Sequence, residues 1–151
     1  MQHRRLKVGV TRKLPDAVEA RLAALFDAAL NPSNTPLSRQ QLIDLARGVD
    51  VLAPTLGDEL DAAFFAQAGD RLKLIANFGA GIDHIDVAAA NTHGVTVTNT
   101  PSVLAEDAAD MAMALILAVP RRLPEGAVMM QRGDWDGWSP TALMGHRIAG
   151  K

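Results

Sequence analysis

The chain has 151 residues, 48% of them hydrophobic and 21% charged, and a formal net charge of −2 with both signs interspersed. Those proportions suit one globular domain with a real core, and they give neither nucleic acid nor an anionic membrane an electrostatic footprint. Cysteine is absent, which excludes disulfides, thiolate metal sites and a cysteine nucleophile, and which is compatible with a cytoplasmic location.

Taken in order, the chain alternates short strands with helices. The apolar stretch 6–10 behind the basic start is too short and too interrupted for a signal peptide. Residues 7–11 form a compact β-type run. Pro15 then stands where a first helical turn tolerates proline, ahead of Val18, Leu22 and Leu25 on one face. A weak second strand over 26–30 is closed by the turn-rich stretch 31–36. Ser38 and Gln41 make a capping box for a helix through Ala46, which Gly48 ends. A third strand over 49–53, a helix over 60–68 with Phe64 and Phe65 in the core, and a fourth strand over 72–76 follow. Asp86 caps a helix that Gly94 terminates, and 95–98 is a β-branched fifth strand. Repeated β–α units with continuous apolar strands predict a parallel sheet covered on both faces.

Between the fourth strand and Asp86 runs Asn77-Phe78-Gly79-Ala80-Gly81-Ile82-Asp83-His84-Ile85, a strand end, a glycine loop and a helix start. Glycines let a backbone approach an anion closely, and a helix N-terminus adds partial positive charge, so the loop can seat a carboxylate. The alternative is a tight turn whose glycines serve only positive φ. Gly79 and Gly81 do not make a dinucleotide fingerprint, because His84 stands where the third glycine belongs and no acidic residue follows ~20 positions later. Asp83 and His84 suggest a general base, but no serine or cysteine nucleophile accompanies them. No two histidines fall at metal-ligand spacing, so no metal site is predicted.

After the fifth strand, Asn99-Thr100-Pro101-Ser102 reads as a turn ending in an N-cap. The helix it opens is predicted to run to about Arg122, before Pro124, and at 1.5 Å per residue to be roughly 30 Å long. Its centre, 111–119, is apolar all round, though the apolar run is shorter than the ~20 residues of a membrane span. A helix apolar on every face must be buried on every face. Either a second domain or subunit covers it, or it is the central core helix of a single domain. Trp135 and Trp138 either plug a core edge or anchor a partner. The ending Ile148-Ala149-Gly150-Lys151 has no closing helix, and the natural chain is expected to continue.

The glycine loop, then Gly94-Val95-Thr96-Val97-Thr98-Asn99-Thr100-Pro101, then the apolar helix ending Arg121-Arg122, then Gly133-Asp134-Trp135 and Gly150-Lys151, together resemble the D-isomer-specific 2-hydroxyacid dehydrogenase family. Within that family the Trp135 and Trp138 arm with Ser139-Pro140 is most similar to the glyoxylate/hydroxypyruvate reductases. The resemblance implies an α/β fold: a flavodoxin-like substrate domain over 1–100, an interdomain helix over 101–123, and a dimerisation arm over 124–151. A Rossmann domain is expected beyond 151. It implies that the amides of Ala80 and Gly81 hold the substrate carboxylate, that Leu56 lines the pocket, and that Leu104 and Ala108 lie near the nicotinamide. Trp138 would reach the partner's substrate pocket in a homodimer, and His84 would have a structural role. The family's catalytic arginine, glutamate and histidine fall beyond Lys151, so no catalytic residue is assigned and this chain alone is expected to be inactive. The implied activity of the parent is reduction of a small 2-keto acid, glyoxylate or hydroxypyruvate, with NAD or NADP as cofactor. A non-catalytic module that binds a small acid, or regulates through it, is the alternative. A phospho-receiver fits less well, because the first strand ends in Thr11-Arg12 with no acidic cluster.

Overall fold

The computed structural model describes residues 4–150. Five strands form one parallel sheet: β1 Lys7–Val10, β2 Asp27–Ala29, β3 Val51–Ala53, β4 Leu74–Ala76 and β5 Thr96–Thr98. Their order, β2-β1-β3-β4-β5, is that of a doubly wound flavodoxin-like sheet. Between them run α1 Asp16–Leu25, α2 Arg39–Gly48, α3 Ala62–Ala68 and α4 Val87–Thr92. Right-handed crossovers put α2, α3 and α4 on one face and α1 on the other.

The core lies on the three-helix face. Leu42, Ile43 and Ala46 of α2, Phe64, Phe65 and Ala68 of α3, and Ala90 of α4 pack with Leu52, Ile75 and Val95. Phe64 and Phe65 meet edge to face, with ring centroids 5.2 Å apart. The capping box of α2 forms: Gln41 N–H donates to Ser38 Oγ at 3.3 Å, and Ser38 N–H donates to Gln41 Oε1 at 2.9 Å. Asp61 and Asp86 cap α3 and α4 with one bond each, their carboxylates accepting the N–H of Phe64 and of Ala89. Gly9 is where α2 crosses β1 most closely, since a methyl there would lie 3.0 Å from the Leu45 side chain.

The other face of the sheet is only partly covered, which corrects the expectation of two covered faces. Val8 and Val10 of β1 are buried, Val51, Ala53, Leu74 and Ala76 are half-buried, and Thr96 and Thr98 at the far edge are exposed. No residue of α1 is buried, and Val18 and Leu25 of its expected apolar face are open. One helix over one edge cannot shield five strands.

The chain divides into two compact units at Val103 and Leu104. In the second, the single long helix expected over 102–122 is two: α5 Ala105–Ala118 and α6 Leu123–Arg132. With 14 residues α5 is about 21 Å long. Ser102 has φ of 67° and caps nothing; Leu104 holds the cap position without a side-chain hydrogen bond. Pro120 is the reason for the early stop, since its ring clashes with the preceding turn and it has no N–H to donate. Arg122 then turns in the left-handed region at φ 54° and pairs with Glu125, and Pro124, expected to lie beyond a helix, sits in the first turn of α6. Met111, Met113, Leu115, Ile116, Leu117 and Val119 are 53–67% exposed, so α5 is not the core helix of a single domain in this chain. No described helix is long and apolar enough to cross a membrane.

Candidate functional site

Three buried polar side chains stand out among the described residues, Thr11, Asp58 and Asn77, and all follow the C-terminal ends of strands. That edge of a parallel sheet is where open α/β folds bind ligands. Thr11, just past β1, donates its hydroxyl to Asp58 Oδ2 at 2.5 Å, and Thr55 after β3 donates to the same oxygen from N–H at 2.7 Å and from Oγ1 at 3.2 Å. The loop after β3 is thereby stapled to the end of β1. It carries Leu56, which is 62% exposed and lies against the glycine loop, where a methyl on Gly79 would come 3.0 Å from Leu56 Cδ2.

The glycine loop is organised from beneath by Asn77, which is 3% exposed. Its Nδ2 donates to the carbonyls of Gly79 at 3.1 Å and Gly81 at 2.9 Å. Asn99, just past β5, donates Nδ2 to the carbonyl of Ala80 at 2.7 Å, and Thr100 N–H adds a bond to Gly79 O at 3.1 Å. Three successive carbonyls are therefore occupied. Among the described residues, the N–H groups of 79–84 donate to no protein acceptor. The far end of the loop is tied down by Leu60 N–H on His84 O and Asp86 N–H on Leu60 O, each 2.9 Å.

The glycines do not serve positive φ: neither Gly79 nor Gly81 is in the left-handed region. A methyl at Gly79 would press on Leu56, whereas one at Gly81 would meet only the Asp83 carboxylate at 3.7 Å. The chain's own packing thus leaves the space over Gly81 open. The expected help from a helix N-terminus is also corrected, because the Asp86 carboxylate accepts the Ala89 N–H of six-residue α4 at 2.9 Å. Any anion held here is held by the loop's own amides. The side chains bonded to the loop, Asn77, His84 and Asn99, bring no permanent positive charge.

His84 is a brace. Its Nε2 lies 3.1 Å from Asn77 Oδ1, and because an amide oxygen only accepts, that nitrogen carries the proton. No hydrogen bond joins Asp83 to His84 among the described residues. His93, at the end of α4, stacks on Phe65 and gives Nδ1 to Ala89 O.

The first unit therefore brings together Leu56, Ala80 and Gly81 of the residues expected from the sequence. The second holds the other three. Leu104 and Ala108 lie one helical turn apart, with Ala108 N–H on Leu104 O at 2.9 Å, and both are exposed. Trp138, at 81% exposure, belongs to the irregular segment after α6. No group of three histidine or acidic side chains among the described residues could hold a metal ion. Nor do the described residues fit a dinucleotide diphosphate. The turn from β1 into α1, Thr11-Arg12-Lys13-Leu14-Pro15, has no glycine to admit one, and the glycine loop ends in a helix whose N-terminus is already capped. From the sequence, Asn77 and Asn99 stand only as members of their loops, with no role given to either side chain, and Asp58 is not singled out. Their signal was present, since Asn77 and Asn99 are the first strongly polar residues beyond their strands.

The family model described as D-isomer specific 2-hydroxyacid dehydrogenase, catalytic domain, matches residues 10–145. A glyoxylate reductase from Thermococcus onnurineus is 37% identical over 149 residues, which is 96% of this chain and 44% of the relative. A D-isomer specific 2-hydroxyacid dehydrogenase structure from Polaromonas sp. JS6 66 superposes with a TM-score of 0.86 at 36% identity, over 96% of this chain and 46% of that one. An NADPH-dependent glyoxylate/hydroxypyruvate reductase from Sinorhizobium meliloti, solved with NADP and malonate, superposes at 0.72 with 31% identity, over 90% of this chain and 41% of that one. The chain spans less than half the length of these relatives.

Proposed function

Because this chain belongs to the D-isomer specific 2-hydroxyacid dehydrogenase family, we propose that its glycine loop seats the carboxylate of a small 2-keto acid, glyoxylate or hydroxypyruvate, in an enzyme that reduces it with NADH or NADPH. The observation that carries this reading is the run of amides over 79–84 with no protein acceptor, above three carbonyls that are all occupied. A carboxylate has the acceptor oxygens such a run lacks. Ala80 and Gly81 supply the central N–H groups, the open space over Gly81 admits the ligand, and Leu56 is the apolar wall that meets the rest of a small acid.

The nicotinamide supplies hydride when bound. Leu104 and Ala108 offer it a small apolar face that keeps water from the hydride path. The parts are read on the family's plan: a substrate domain over 1–100, an interdomain segment over 101–123 that carries α5, and an arm over 124–151, beginning in α6, through which a homodimer brings Trp138 to the partner's pocket. No residue of this chain is assigned proton or hydride transfer. The family's catalytic arginine, glutamate and histidine are matched to no position of this chain, and the composition suits work in the cytoplasm.

The test is oxidation of NADH or NADPH by the full-length protein with glyoxylate and with hydroxypyruvate. Turnover is expected with at least one pair. A folded full-length protein that binds oxalate yet turns over neither acid is a small-acid-binding module instead. Gly81→Val, which fills the open space above the amides, is expected to raise KM for the keto acid at least tenfold, about 1.4 kcal/mol or more of lost binding. An unchanged KM would place the carboxylate elsewhere.

A further inference from the structure

We propose that Asn77 is a positioning residue for carboxylate recognition, acting through the peptide carbonyls of the loop and never touching the ligand; this rests on the carboxylate reading of the loop. Asn77 has two amide protons, and both are committed, one to Gly79 O at 3.1 Å and one to Gly81 O at 2.9 Å. A peptide is planar and trans, so a carbonyl and the N–H of the next residue point in opposite directions. Holding Gly79 O inward turns the Ala80 N–H outward, and holding Gly81 O inward does the same for Ile82. Asn99, on Ala80 O at 2.7 Å, sets the middle peptide and so presents the Gly81 N–H. Two asparagines thus aim three consecutive donors, and the buried one aims two of them.

The same bonds strengthen what they aim. A carbonyl that accepts a hydrogen bond polarises its peptide, and the N–H on the far side becomes a better donor to an anion. The loop itself supplies no formal positive charge, so this polarisation and the orientation of the amides are its means of attracting a carboxylate. It also adds the Ile82 N–H as a third donor beside those of Ala80 and Gly81.

The direction of Asn77 is set by the two carbonyls it serves, and His84 locks it. A flipped amide would put Oδ1 against two carbonyl oxygens, which only accept, and with Nδ2 on those carbonyls the Nε2 of His84 donates to Oδ1 at 3.1 Å. His84 is thus the outermost part of one chain of bonds: imidazole, buried amide, two carbonyls, two outward N–H groups. An asparagine that merely filled the core would bond to the strands around it. All three side-chain hydrogen bonds of Asn77 go to the loop.

The experiment uses the full-length protein with its nicotinamide cofactor. Asn77→Asp keeps the shape of the side chain and replaces both donors with acceptors. KM for glyoxylate and the dissociation constant of oxalate, a non-reducible carboxylate followed by calorimetry, are expected to rise together by roughly tenfold or more, with kcat changed less than about threefold. His84→Ala is expected to move both constants the same way by a smaller factor, and His84→Gln, which returns an N–H, to restore them. If Asn77→Asp does not fold, the His84 pair carries the test. Variants that melt lower but keep both constants would overturn the proposal, because Asn77 would then only pack. Gly81→Val separates the two levels: a raised KM there with unchanged Asn77 and His84 variants sinks this proposal alone, whereas an unchanged KM sinks the carboxylate seat beneath it.

Discussion

At the scale of single residues, the sheet is pinned at both ends by aspartates with different tasks. Asp58 holds the C-terminal edge, where it ties the ends of β1 and β3. Asp50 holds the opposite edge, where its carboxylate accepts from Arg71 Nε at 3.1 Å, from Arg4 at 3.1 Å and from the Lys7 N–H at 2.8 Å, joining the entries of β1, β3 and β4. The Arg71 guanidinium first, then the Lys7 amide, lower its pKa from 3.8 to about 2. A depressed carboxyl stabilises the fold above its unfolded pKa, and the contribution fades as pH falls through the folded one. Asp50→Asn is therefore expected to destabilise the protein at pH 7 by roughly 1–2 kcal/mol, the pKa shift discounted for solvent screening. The difference should shrink between about pH 4 and pH 2. Urea unfolding of both proteins across that range checks it, and a gap that does not close with acid would mean the charge of Asp50 is not what matters.

At the scale of elements, the break between α5 and α6 is held by a contact far along the chain. His146 N–H donates to Pro120 O at 2.8 Å, and a methyl on Gly145 would lie 2.3 Å from that same oxygen. The irregular segment after α6 passes so close to the proline corner that only glycine fits. Gly145→Ala is expected to cost roughly 2–4 kcal/mol through overpacking against backbone, read as a lower melting temperature. An unchanged melting temperature would mean that the corner can move. The corner also shows what the sequence conveys and what it hides. Capping residues such as Ser38 and Asp86 act within one turn, so their helices were legible. Pro120 was equally local, but it closes an apolar run framed by a cap at Ser102 and the basic pair Arg121-Arg122, and that frame suggested one uninterrupted helix. The glycine loop's place between β4 and α4 was legible, as was its candidacy as an anion seat. The asparagine that orients it was not, because Asn77 works through carbonyls two and four residues away and through His84, and such bonds follow from folded geometry rather than from spacing.

At the scale of the whole molecule, the exposed apolar surface decides behaviour. Met111, Met113, Leu115, Ile116, Leu117 and Val119 surround α5, and all are more than half exposed. At about 25 cal/mol per Å² of apolar surface removed from water, covering even part of such a helix favours association by several kcal/mol. Single exposed leucines are ordinary on a protein surface, but a continuous cylinder of them marks an interface. The same reasoning holds for the thinly covered sheet face beside α1. Sequence alone identified the all-round apolar character of 111–119, and the structure adds that nothing among the described residues buries it. The 151-residue chain is therefore expected to associate in solution, and light scattering at micromolar concentration should give a mass of at least twice 16.0 kDa. Replacing Leu115 and Ile116 together by glutamate places charge on adjacent faces of the helix and is expected to return the monomer while the sheet domain keeps its circular dichroism. If the unmodified chain is already a well-behaved monomer, the apolar faces of α5 must be covered within the chain, and the homodimer reading loses its physical basis.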